Sequence, residues 1–195
     1  MFKAKDRLFI LLSLLMALVV AVSNYLVQFP VSYFNLEEVL TYGAFSYPIA
    51  FLITDLSNRR YGKEVAKKIV YLGFLFGVFF TLFFSTNFMD LISIRIAIAS
   101  GTAFLVAQLM DVFIFDILRK KLWFVAPLTS SLIGSVFDTF LFFSIAFYGT
   151  GLNWFTLSVG DLSIKVLVAL IMLIPFRFLL SYVQEASNVK KKINV

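Results

Sequence analysis

Asp138 stands in "SVFDTFLFF", an apolar run with no Lys or Arg within a helical turn of it. A carboxylate in such a setting persists where it faces a partner or a wetted cavity. Ser131 and Ser135 precede it at helical spacing, so the three share one face. Other polar residues interrupt apolar runs in the same way. Asn24 and Gln28 form an i, i+4 amide pair, Gln108 and Asp111 stand three apart on one face, and Arg95 and Lys165 are isolated cations. Asn24, Gln28, Arg95, Asp138 and Lys165 come from four separate apolar stretches at similar depth. Brought together, they would line a pocket of amides, one carboxylate and two cations, suited to a small polar molecule. Tyr42, Phe45 and Tyr47, in "TYGAFSYP", offer rings for a flat wall. The binding candidates are therefore Asn24, Gln28, Tyr42, Phe45, Arg95, Gln108, Asp111, Asp138 and Lys165.

Each candidate also has a plainer role open to it. Lys165 can pair with Asp161 one turn earlier, or extend to the membrane surface. Arg95 can serve as an interface anchor. Asn24 and Gln28 can be interhelical glue, worth about 0.6 kcal/mol apiece on average. Asp111 can pair with a basic residue at the cytoplasmic side, and Asp116 with the nearby Arg119 or Lys120. Gly73 and Gly77 form a G-x-x-x-G, and Ala17 and Ala21 a small-x-x-x-small pair, both marks of close helix packing.

Several chemistries are excluded outright. The chain has no Cys and no His, which removes disulfides, zinc-thiolate sites and Ser-His-Asp triads. It has no G-x-x-x-x-G-K-[ST], H-E-x-x-H or G-x-S-x-G. No matched acid/base pair is visible among the carboxylates and lysines. The chain reads as a non-enzyme, with neither cofactor nor metal expected.

The elements that must position these residues are membrane helices. The sequence is 61% hydrophobic and only 14% charged, with a mean hydropathy of +0.95. A soluble chain carries about a quarter charged residues. A span needs about 20 apolar residues to cross about 30 Å of hydrocarbon. Six stretches qualify, at 8–29, 36–54, 66–86, 94–117, 123–148 and 160–182, within one domain covering 1–195. The second is interrupted by Pro48. The predicted fold is thus all-α, a polytopic bundle of six transmembrane helices. The first span is too long for a cleaved leader and has no small-residue cleavage site.

Charge distribution orients the bundle. With Lys3, Lys5 and Arg7 in the cytoplasm, both termini are cytoplasmic. So are the run Arg59, Arg60, Lys63, Lys67 and Lys68, the triplet Arg119, Lys120 and Lys121, and the tail of Arg177, Lys190, Lys191 and Lys192. Of the 17 Lys and Arg, only Arg95 and Lys165 break this pattern. Glu37, Glu38 and Asp90 fall outside. The basic stretch "FLITDLSNRRYGKEVAKK" is accordingly a membrane edge. It lacks the interleaved aromatics of a nucleic-acid platform, and no nucleic-acid partner is expected.

The blocks "SNYLVQFPVS" (23–32), "GAFSYPIAFLITDLSNRRYG" (43–62), "RIAIAS" (95–100), "QLMDVFIFDILR" (108–119), "APLTSSLIGSVFDTFLFFSIAF" (126–147) and "GDLSIKV" (160–166) occur in this order. They closely resemble the bacterial queuosine precursor transporter family, from about residue 10 to 182. The resemblance implies a six-helix, multi-pass inner-membrane protein that imports 7-cyano-7-deazaguanine or 7-aminomethyl-7-deazaguanine for tRNA modification. The family is similar in size and helix count to the binding subunits of energy-coupling vitamin transporters. By motif match Asn24, Gln28, Asp55, Arg95, Gln108, Asp111, Asp138 and Lys165 occupy family-like positions. Some relatives carry Asn where Ser135 stands, so the resemblance does not make Ser135 a ligand.

A deazaguanine edge presents N1–H and a 2-amino group as donors and O6 as an acceptor. One carboxylate accepts both donors together, which singles out Asp138; Asn24 or Gln28 would satisfy O6. The D-x-x-x-R-x-x-G-K pattern from Asp55 to Lys63 loosely resembles the gating loop of major-facilitator transporters. Asp55 and Arg59 are then a gating pair, or else an ordinary ion pair at a helix end. Two further classes remain beside a transporter: a binding subunit that needs a separate motor, and a membrane assembly protein whose polar residues only join helices. The expected partners are a nucleobase and the lipid bilayer, with association between copies left open.

Overall fold

The computed structural model describes residues 4–33, 37, 40–85 and 88–193, with side chains over 7–33, 37, 40–83 and 88–181. Lys3 and Glu38, and the side chains of Lys5, Lys190, Lys191 and Lys192, lie outside the described residues. Among those described, the chain forms six α-helices: α1 (Ala4–Leu26), α2 (Gly43–Tyr61), α3 (Lys63–Phe80), α4 (Leu91–Leu118), α5 (Val125–Phe147) and α6 (Trp154–Ile193). A π-helical turn, Thr81–Ser85, continues α3. Five helices, all but α2, are long and apolar enough to cross a membrane.

The bundle is inside out by the standards of a water-soluble protein. Leu14 is 59% exposed and Phe178 71%, whereas Asp111 and Asn58 are 0% exposed. Apolar side chains clad the rim, and inside, polar groups are buried among apolar ones such as Phe51, Phe104 and Phe115. That arrangement suits a hydrocarbon solvent, in which rim Leu and Phe cost nothing and polar groups need internal partners.

Local chemistry sets the helix ends. The Asp90 carboxylate caps α4, accepting from the backbone N–H of Ile92 and of Ser93, each at 3.1 Å. Gly62 separates α2 from α3 at φ 87°, a conformation that residues with a Cβ seldom adopt. Its N–H bonds the Asn58 carbonyl at 2.8 Å and closes α2. Between α1 and α2 the chain turns through a short antiparallel bridge, Pro30 to Thr41.

The second helix departs most from the sequence expectation. Instead of 36–54 it occupies Gly43–Tyr61, so the stretch from Asp55 to Arg60 is helical and largely inside the bundle. Pro48 sits within α2 and removes a single hydrogen bond without ending it. Polar Thr54, Asp55, Ser57 and Asn58 are all buried there against other helices. Their burial explains why α2 holds its place with the least apolar sequence of the set.

The G-x-x-x-G seam is tight. A Cβ on Gly73 would lie 2.2 Å from Met16 Cγ, and one on Gly77 2.5 Å from Val20 Cγ1, so the glycines of α3 seat Met16 and Val20 of α1. Met16 and Val20 also join Tyr47, Ile69, Val70 and Phe104 in the largest apolar cluster. The basic segments gather at one end. Arg59 donates to the Arg119 carbonyl at 2.5 Å, Arg119 pairs with Asp116 at 3.2 Å, and Arg177 lies over the Trp123 ring at 4.9 Å.

Candidate functional site

Three helices, α2, α5 and α6, bring one charged cluster together. Lys165, on α6, is 4% exposed, and its ammonium uses all three of its protons. It donates to Asp138 Oδ2 on α5 at 2.8 Å, to Asp161 Oδ2 at 2.6 Å and to Thr139 Oγ1 at 3.1 Å. The Thr139 hydroxyl donates in turn to Asp161 Oδ2 at 2.8 Å. The same ammonium lies 5.2 Å from the centre of the Tyr47 ring on α2. With all three groups ionised the cluster carries one net negative charge.

Asn24 forms the opposite side. Its amide nitrogen donates to Thr81 Oγ1 at 2.7 Å. Its oxygen accepts from the Ser100 hydroxyl at 2.7 Å and from the Tyr47 hydroxyl at 3.4 Å. Thr81 opens the π-helical turn and donates to the Gly77 carbonyl. Between the two sides lies a hollow lined by Asn24, Tyr47, Ser100, Asp138, Asp161 and Lys165, with Val27, Gly43 and Phe142. Its cavity volume is about 10 Å³, room for about one water.

Of the nine binding candidates, Asn24, Asp138 and Lys165 meet here, and six do not line the hollow. Gln28 is exposed and donates only to the Asn24 backbone carbonyl at 3.4 Å, because α1 ends at Leu26. Arg95 donates to the carbonyls of Ile145 (2.9 Å) and Tyr148 (2.7 Å), capping the end of α5. Phe45 is 44% exposed on the outside of α2. Tyr42 packs with Val31, Leu40 and Ala44 at the start of that helix. Of the three rings the sequence offered, only Tyr47 lines the hollow, and Phe142 joins it. Asp161 and Ser100 were missed as pocket residues. The i, i+4 spacing of Asp161 and Lys165 was the available signal, but it read as a helix-surface pair; Ser100 gave none.

Gln108 and Asp111 belong to a second cluster nearer the basic end. The Thr54 hydroxyl donates to Gln108 Oε1 at 2.5 Å, and Asn58 Nδ2 donates to the Val112 carbonyl at 2.9 Å. Asp55 is 2% exposed and accepts from Ser130 (3.2 Å) and Ser131 (3.4 Å) on α5. It makes no ion pair with Arg59, which points to α4, so neither the gating pair nor the helix-end pair forms. Asp111 meets no cation either; it faces Asp55 and Ser130. Seven residues separate Ser131 from Asp138 and eight separate Tyr47 from Asp55. At about 1.5 Å per residue the two clusters are stacked about 10–12 Å apart.

An apolar rim around a buried carboxylate–ammonium–amide cluster defines a polytopic membrane protein with a polar site in its interior. The chain belongs to the transporter family described as "Putative vitamin uptake transporter", which it matches over residues 41–180. Its relatives are bacterial. It is 36% identical to a "Probable queuosine precursor transporter" of Haemophilus influenzae, over 88% of this chain and 85% of that one. It is 34% identical to the "Queuosine precursor transporter" of Escherichia coli, over 94% of this chain and 91% of that one. A Bacillus subtilis relative, also a "Probable queuosine precursor transporter", is 29% identical over 68% of each. No solved structure matches the chain significantly. Several membrane-spanning helices and these relatives make it a multi-pass protein of the inner membrane.

Proposed function

We propose that the chain imports 7-deazaguanine precursors of queuosine, 7-cyano-7-deazaguanine and 7-aminomethyl-7-deazaguanine, and that the base binds at Asn24, Tyr47, Asp138 and Lys165. The observation that carries this reading is the three-way contact of Lys165 with Asp138, Asp161 and Thr139. Lys165 has two carboxylate partners, so it can release Asp138 and keep Asp161. The freed Asp138 carboxylate then accepts N1–H and the 2-amino group of the base, and the Lys165 ammonium donates to O6. Each bond lost inside the protein is replaced by one to the ligand, so no buried charge is left bare. Adenine presents an acceptor at N1 and lacks the 2-amino group, so it leaves Asp138 unpaired and is rejected.

A ring cannot enter a hollow the size of a water, so binding must part the helices. In this reading α2 yields, because Pro48 has already removed one rung of its ladder. Alternate opening of the two sides follows from that movement. We also read α2 as a sixth span, largely enclosed by its neighbours with Phe45 and Ile49 facing outward, and both termini as cytoplasmic. The basic residues gathered at one end of the bundle support that orientation.

The test has two parts. At 100 times its Kd, the base should stabilise the purified protein by about 2.7 kcal/mol, and adenine should not. Protein alone in liposomes should then move labelled base. Stabilisation without flux would show a binding subunit, and the absence of both effects would overturn the reading.

A further inference from the structure

The second cluster contains a feature that substrate binding does not use. Asp111 is 0% exposed, and neither of its carboxylate oxygens meets a donor. Asp55, another buried carboxylate, stands on the facing stretch of α2, where Thr54 meets Gln108 and Asn58 meets Val112, and its oxygens accept from the hydroxyls of Ser130 and Ser131. Ser135, one turn along α5 from Ser131, is also buried with its hydroxyl unpartnered. Two facing carboxylates in an apolar bundle need a positive charge between them.

Among the described residues, the cations of the neighbouring elements are engaged elsewhere. Arg59 is bonded to the Arg119 carbonyl, and Arg119 to Asp116. On α3, Lys63 lies over the Phe113 ring and Lys67 pairs with Glu64. On α6, Arg177 lies over Trp123, and Lys165 is bound in the first cluster. Arg7 on α1 is exposed. Arg60 on α2 lies over the Tyr61 ring at 5.3 Å, Arg95 on α4 is bonded to the Ile145 and Tyr148 carbonyls, and Lys68, Lys120 and Lys121 are exposed. A proton is the smallest charge that completes the pair: one O–H···O bond gives Asp111 its missing donor. Water has a place beside the pair. A cavity of about 10 Å³ between α2, α5 and α6 touches both Asp55 and Ser131, room for about one water.

We propose that Asp55 and Asp111 form a shared-proton pair that loads and releases one proton per transport cycle, coupling import to the proton gradient. The inference rests on the transporter reading above. The proton comes from water on the outer side, bridges the two carboxylates as O–H···O, and leaves to water on the inner side; no other bond changes. Helix α2 joins the two events, since it carries Tyr47 at the substrate hollow and Asp55 at the pair, with Pro48 between them. A base that pushes α2 aside therefore also moves Asp55 relative to Asp111.

The experiment uses the full chain in liposomes, with the membrane potential clamped to zero and a pH-sensitive dye inside. Adding 7-cyano-7-deazaguanine outside should acidify the lumen. Each unit of inward pH gradient should support up to about tenfold accumulation, the value for one proton per base. Replacing sodium by choline should change nothing. Asp111→Asn should abolish acidification and gradient-driven accumulation but retain exchange of labelled for unlabelled base at equal pH, since exchange needs only a loaded carrier. Wild-type exchange without acidification, or accumulation that follows sodium, overturns the proton pair and leaves the transporter intact. Wild-type protein with no exchange at all overturns both. If Asp111→Asn does not insert, the wild-type dye signal alone decides.

Discussion

Lys165→Met removes the ammonium and keeps a flexible side chain of similar length, so packing changes little. Three hydrogen bonds vanish, two of them to carboxylates, and Asp138 and Asp161 are left facing each other without a counter-charge. Breaking a buried pair by removing one partner costs about 3–5 kcal/mol. At about 2–4 °C per kcal/mol for a chain of this size, Tm should fall by roughly 6–20 °C. The more telling outcome is a change of sign. In the wild type, Asp161→Asn destabilises, because Lys165 loses its 2.6 Å partner. In the Lys165→Met background the same change removes an orphaned carboxylate and should raise Tm. Thermal unfolding of the four proteins in one detergent gives the cycle, with a coupling of about 2–3 kcal/mol. The reasoning fails if Lys165→Met unfolds within about 2 °C of the wild type. It also fails if Asp161→Asn lowers Tm equally in both backgrounds.

Asp138→Asn should weaken deazaguanine binding by about 10–150-fold, the loss of about 1.5–3 kcal/mol for a hydrogen bond to a charged group. Titration calorimetry on inserted protein reads it, and unchanged affinity would remove Asp138 from the site. Arg95→Ala should cost about 1–2 kcal/mol of stability, because two α5 carbonyls lose their cap, with no change in ligand Kd. A fall in affinity would return Arg95 to the pocket. Gly77→Leu drives a side chain into Val20, where a Cβ alone already comes within 2.5 Å, so unfolding should come earlier by at least the 1–3 kcal/mol or so of an overpacked core. Unaltered melting would mean the α1–α3 seam is loose.

Much of the architecture was legible in the sequence, because lipid imposes a simple rule: about 20 apolar residues make a span. The helix α2 escaped that rule. Its register followed from side-chain partners on α4 and α5, such as Ser130 with Asp55 and Gln108 with Thr54, which hydropathy does not encode. In the site, oddity within an apolar run found Asn24, Asp138 and Lys165. The same criterion also gathered Arg95 and Gln28, which lie near helix ends where carbonyls need donors. Depth alone could not separate a pocket group from a cap. Nor could it show that Asp55, at the edge of a basic run, turns inward while Arg59, one turn on, reaches across to α4.

The stacking of two polar clusters along one axis has an electrical consequence. At about 11 Å, in a medium of effective dielectric near 20, a unit charge gained by one cluster changes the potential energy of a unit charge in the other by about 1.5 kcal/mol. That is about a tenfold bias in occupancy, transmitted by the field alone, with no contact between the clusters. Lipid and apolar side chains on every flank keep salt from screening it.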